Sequence, residues 1–178
     1  MLPAERKLVC KTVIATLLLL AVAGALGAWL FMMSGFYNIS STSQHLPFVY
    51  RFLEKGMHQS VRYHAAKIET PPLDDPQMIL RGAALYQRSC VQCHGAPGVA
   101  PDGIGMGMQP VPGPLVDADN KWEARELYWI VRHGIKMSGM PAWEYRMSEA
   151  QLWETVAFMQ QLPRMQPEEY LRMTEHRP

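Results

Sequence analysis

The sequence predicts an all-α chain, a small helical domain behind one N-terminal membrane-spanning helix. From Thr12 to Met33 there are 22 residues without a charge, rich in Leu, Ala and Val. Downstream, apolar residues recur at spacings of three and four in separate segments, the mark of helices with one buried face. Many of the fourteen prolines fall after residue 94, which predicts loops that wrap a core rather than a sheet. Length allows one modest domain plus an anchor.

At about 1.5 Å per residue the uncharged run crosses a hydrocarbon core of about 30 Å. Residues 1–11 carry Arg6, Lys7 and Lys11 against Glu5, and the next cation is Arg51. The positive-inside rule therefore places the N-terminus in the cytoplasm and the rest of the chain outside. Trp29 and Tyr37 fall near the outer end, where amphipathic rings settle. A cleaved signal peptide competes with this reading, because Ala23, Gly24, Ala25, Gly27 and Ala28 could serve a peptidase. Trp29 to Met33 continue the apolar run past any such site, which favours a retained anchor over residues 1–35. Cys10 lacks the context of a lipoprotein site and reads as a free cytoplasmic thiol.

Residues 36–76 form a second region. A polar, turn-forming exit leads to a helical pattern from Pro47 to about Ala66, with Val49, Phe52, Leu53, Gly56, Met57 and Val61 at helical spacing. Two readings compete: a helix packed on the following domain or on a neighbouring subunit, and a basic amphipathic helix on anionic lipid. The stripe is thin and broken by Gly56, which favours the first. His58 and His64 read as polar surface residues. Glu69 to Pro76 is an extended proline linker. Residues 77–163 are then the main domain, and 164–178 a loose polar tail.

Within that domain Asp75-Pro76 opens a helix, the acid as N-cap and the proline at the first position. Ile79, Gly82, Ala83, Tyr86 and Cys90 share one of its faces, and Gly82 suits a close helix crossing. A second helix runs from Glu123 to His133, with Gly134 as C-cap. Ser148 and Gln151 form a capping box that starts a third, ended by Pro163. The charge is uneven: residues 1–68 hold seven Lys/Arg against two Asp/Glu, and residues 69–178 hold ten against fourteen. The domain is thus mildly acidic, and no basic patch indicates nucleic acid.

The most specific chemistry lies at Cys90-Val91-Gln92-Cys93-His94. Two thiols three positions apart can each form a thioether to one vinyl group of a porphyrin, and the adjacent imidazole then sits beneath the iron. A zinc site would need more ligands than the one remaining cysteine, Cys10, supplies. A redox dithiol would not require His94. The reading is covalent haem c, with His94 as proximal iron ligand. Residues 95–116 hold six glycines and five prolines. Their Gly103–Met108 stretch lacks the Lys-Ser/Thr of a phosphate loop and suits a loop folded over a porphyrin face. The Pro110–Leu115 stretch would bring a backbone carbonyl to His94 Nδ1. For the sixth ligand Met106, Met108, His133, Met137, Met140 and Met147 are candidates. Met140 leads, because Gly139 precedes it and Pro141 stiffens the segment behind.

Residues 77–162 resemble the small His/Met class I cytochrome c domain, and the chain as a whole resembles membrane-anchored bacterial monohaem members. The matching residues are Gly82 and Tyr86, Cys90 to His94, Gly113-Pro114-Leu115, Gly139-Met140-Pro141-Ala142-Trp143, and Trp153 and Val156. The resemblance implies that the first and last helices of the domain cross at Gly82 and Tyr86, and that His94 and Met140 hold the iron. It also places Pro112, Pro114, Leu115 and Trp143 at the haem, with Pro112 or Pro114 supplying the carbonyl for His94. The implied function is one-electron transfer on the periplasmic side of the bacterial cytoplasmic membrane, as a subunit of, or carrier to, a respiratory oxidase or dehydrogenase complex. The partner is then a respiratory oxidase, a quinol-oxidising complex or a periplasmic dehydrogenase. A haem enzyme or gas sensor with a displaceable sixth ligand is the alternative, and would need a distal acid–base group such as His133 or Glu144.

Overall fold

A computed structural model describes residues 3–43 and 45–174. It is helical, and among these residues the only β-type pairing is an isolated bridge between Ala96 and Val99. The chain divides into two compact units, Met1–Ser43 and Gln44–Pro178.

The first unit is one helix, α1 (Pro3–Met33), long and apolar enough to cross a membrane. Its 31 residues make a rod of about 46 Å at 1.5 Å per residue. Its leucine, valine and phenylalanine side chains are exposed all round, a pattern that suits hydrocarbon rather than water as the surrounding medium.

The second unit begins with α2 (Pro47–Ala65), which packs against α7 (Ala124–His133) and buries Val61 and Ala65. Between them in sequence come α3 (Pro76–Ser89), the single turn α4 (Val91–His94), the short α5 (Gly103–Met106), a 3-10 turn at Leu115–Asp117, and α6 (Ala118–Lys121). The chain closes with α8 (Glu149–Met159), a 3-10 turn at Leu162–Arg164, and α9 (Pro167–Thr174). The expected caps are present. The Asp75 carboxylate accepts from Gln77 N at 3.0 Å with Pro76 in the first turn. Ser148 and Gln151 exchange both capping-box bonds, and Gly134 ends α7 with φ +67°.

The core lies where α3 crosses α8. At Gly82 an added Cβ would meet Glu154 O at 2.0 Å and Phe158 Cβ at 2.9 Å, so only glycine permits this approach. Tyr86, Phe158, Val156 and Leu152 are buried around the crossing, each side chain of this kind contributing about 1.5–3 kcal/mol over exposure. Tyr128 of α7 stacks on Trp153 of α8 at 4.1 Å between ring centroids.

Two expectations are corrected. The loose tail does not begin at residue 164: α9 packs on α3, with Tyr170 buried beside Phe158 and its hydroxyl bonded to Gln87. Met165 and Tyr170 supply apolar area that the polar composition of this stretch conceals. The last four residues of the expected tail, 175–178, lie outside the described residues. His64 is on the surface as expected, whereas His58 is half-buried, and both rings have aromatic partners. They stack on Trp122 and Trp129, at 4.3 and 5.6 Å.

Candidate haem-attachment site

The end of α3 and the turn α4 place the attachment residues. Cys90 closes α3 by donating its N–H to Tyr86 O at 2.8 Å, and its own carbonyl accepts from Cys93 N and His94 N at 3.1 and 3.0 Å. One tight turn therefore carries both thiols and the imidazole, and both thiols are free of a disulfide. Tyr86 donates its hydroxyl to Gly95 O at 2.7 Å, tying the core helix to the residue after His94. Gly95 has φ +65°, and a Cβ there would meet Val99 O at 2.7 Å.

The electrostatics of the turn are those of an apolar site. Burial, then the neighbouring Cys93, pushes the Cys90 thiol up to about 12. Burial, then Cys90, raises the Tyr170 hydroxyl to about 12, and burial raises Tyr86 further still. Burial holds His94 below the ordinary histidine range, against an opposing hydrogen bond to Gly113. The imidazole is thereby kept neutral, the form that binds a metal.

His94 Nδ1 lies 2.8 Å from Gly113 O. A carbonyl only accepts, so Nδ1 carries the proton and the Nε2 lone pair is left for a metal. This corrects the expectation of Pro112 or Pro114 as the carbonyl partner. Gly113 sits between the two prolines, and the ring of Pro114 holds the residue before it in extended backbone, so the two prolines stiffen the strap while the glycine between them supplies the oxygen.

The loop after His94 folds back on the turn. Asp102 N donates to Gln92 O at 2.9 Å, and a Cβ on Gly105 would strike Cys93 Cα at 2.7 Å. Gly105 is thus a close-approach position that sequence reasoning missed, though the glycine run was its signal. Leu115 is half-buried against the core.

Met140 is half-buried in a loop held at both ends. Its N–H donates to Ser138 Oγ at 3.1 Å and its carbonyl accepts from Ile135 N at 3.2 Å. A Cβ at Gly134 would meet Met140 O at 2.6 Å. Behind it, Trp143 N and Glu144 N donate to Val131 O and Arg132 O at 3.2 and 3.1 Å, and Trp143 is half-buried against the core. Arg132 reaches Glu144 at 3.4 Å and the Tyr128 hydroxyl at 3.0 Å, and His133 lies 3.6 Å from Glu144. His133 thus lies beside Glu144, which also pairs with Arg132. Met137 is 79 % exposed, unlike Met140. Met108, another of the candidate thioethers, packs its sulfur on Gly139, next to Met140.

The donor set suits a covalently attached iron porphyrin: two free thiols on one turn, an imidazole with Nε2 available, and a thioether in a pinned loop. Residues 77–159 match the family model described as cytochrome C oxidase, cbb3-type, subunit III. This segment is a class I c-type cytochrome domain. No curated protein matches the chain. The cytochrome domain carries covalent haem c with its iron and has haem-based electron transfer as its function. The apolar α1 fits a single-pass membrane anchor, and the matched family is described as an oxidase subunit.

Proposed function

We propose that the chain is a tethered one-electron carrier whose iron is held between His94 Nε2 and Met140 Sδ on the periplasmic face of the membrane, as a subunit of a respiratory oxidase or as its dedicated donor. The observation that carries the ligation is the His94–Gly113 bond, which fixes the tautomer and turns Nε2 away from the strap. The pinned loop supports Met140 as the second ligand, and Pro112, Pro114, Leu115 and Trp143 would shield the ring from water. When bound, haem supplies a ferric/ferrous couple whose potential a thioether ligand raises.

The chain's own residues do the rest. Cys90 and Cys93 would hold the group covalently, Gly113 orients His94, and the contacts of Gly134, Ser138 and Arg132 hold the Met140 loop in place, from which Met140 would supply the second ligand. With His94 and Met140 both holding the iron, small ligands would be excluded and the site would exchange electrons only. The three cations at residues 6, 7 and 11 support a cytoplasmic N-terminus and hence a periplasmic domain. Tethering keeps the carrier at high effective concentration beside a membrane-bound partner.

The test is a potentiometric titration of the purified holoprotein together with carbon monoxide addition to the ferrous form. A reversible one-electron transition without carbon monoxide binding supports the carrier. Rapid carbon monoxide binding in the wild-type protein shows an open sixth position and favours an enzyme or sensor.

A further inference from the structure

We infer that α2 has a second, membrane-facing side, on which Phe48, Phe52 and Tyr63 enter the interfacial layer of an anionic bilayer, flanked by Arg51, Lys55 and Arg62. The inference rests on reading α1 as a membrane anchor.

At 3.6 residues per turn, successive positions advance by about 100°. His58, Val61, His64 and Ala65 then share the side that packs on α7 and Trp122. Phe48, Phe52 and Tyr63 fall together on the opposite side, with exposures of 70, 77 and 79 %. Tyr50 and Leu53, which lie nearer the packed side, are 45 and 44 % exposed. Three highly exposed aromatics in one line on a 19-residue helix exceed the scattered apolar exposure of an ordinary surface.

Charge selects the occupant. Arg51, Lys55 and Arg62 fall in a row along one edge of the aromatic stripe, and Glu54, the one acid of this helix, falls on the packed side. Arg62 also lies 3.8 Å from Glu126 of α7, but is 57 % exposed and so accessible from the outer side. An aromatic stripe edged by cations is what an interfacial helix presents to anionic headgroups. Reach agrees: thirteen residues, 34–46, separate α1 from α2, a span of at most about 45 Å when fully extended. A helix tethered to the bilayer on so short a leash, with its ring stacking and buried contacts to the domain on the other side and only Arg62 reaching back from the edge to Glu126, can lie flat between lipid and domain without breaking either contact.

The experiment uses the full-length holoprotein, reduced and carrying Cys10→Ser, in nanodiscs with or without phosphatidylglycerol. Single nitroxide labels are placed through Phe52→Cys, Leu20→Cys or Lys121→Cys, and their collisions with oxygen and with an aqueous nickel chelate are measured. The expected result is loss of nickel contact at positions 20 and 52 but not at 121, with contact at 52 regained on Arg51→Gln plus Lys55→Gln. A label at 52 as open to nickel as the one at 121, with position 20 still protected, overturns the inference and leaves the anchor intact. Exposure at 20 and 52 together overturns the anchor. Protection at 52 that appears only on adding a partner complex assigns the face to protein, and the inference fails.

Discussion

Gly82→Ala pits two known effects of opposite sign against each other. In a helix interior the change alone stabilises by about 0.5–1 kcal/mol, because alanine has less backbone freedom to lose. Here the added methyl would lie 2.0 Å from Glu154 O, 2.7 Å from Glu154 C and 2.9 Å from Phe158 Cβ. These are main-chain and Cβ atoms, so no rotamer change relieves the clash. Helices α3 and α8 must part by about 1.5 Å to restore ordinary contact distances. Overpacking of this kind costs about 1–3 kcal/mol, and the upper end applies where the wall is backbone. The net expectation is a loss of about 2 kcal/mol, or roughly 5–10 °C in Tm for a domain of this size. Urea or thermal unfolding of the holoprotein in detergent, followed by near-ultraviolet circular dichroism of the buried aromatics, reads it out. Stability equal to or above wild type would refute the close crossing on which the fold description depends.

Two further substitutions probe the attachment turn. Gly105→Ala places a methyl 2.7 Å from Cys93 Cα and 2.8 Å from its carbonyl oxygen. The expected outcome is a lower ratio of covalent haem stain to total protein on a denaturing gel, and an unchanged ratio would mean that the loop does not brace the turn. Tyr86→Phe deletes the buried bond to Gly95 O at 2.7 Å and leaves that carbonyl without this donor. A loss of about 1–2 kcal/mol is expected, measured by the same unfolding, and a neutral result would show that water replaces the hydroxyl.

What the sequence made legible were the features with strong local signals. Cys90-Val91-Gln92-Cys93-His94, the Asp75-Pro76 start, the Ser148–Gln151 box and the Gly134 stop are each written within a few residues; the structure forms the start, the box and the stop as read, and gathers Cys90, Cys93 and His94 on one tight turn. Gly82 was legible as a close-approach position because a helix-interior glycine carries a cost that needs a reason. Long-range geometry was not legible. That Gly113 rather than a proline faces His94 depends on how the strap folds back across nineteen residues. Helix α9 escaped because a single buried tyrosine decides its docking, and one residue makes no periodicity. The stacking of His58 and His64 on Trp122 and Trp129 was hidden because those partners come from a region far along the chain. The placement of Met108 against Gly139 has the same origin.

The most direct measurement of the central claim is the near-infrared charge-transfer band of the ferric holoprotein, which reports sulfur on the iron. The account predicts the band in wild type, its loss in Met140→Ala, and its persistence in Met108→Leu. A band that survives Met140→Ala and disappears with Met108→Leu would move the ligand to the neighbouring thioether, and a wild-type protein without the band would contradict His/Met ligation altogether.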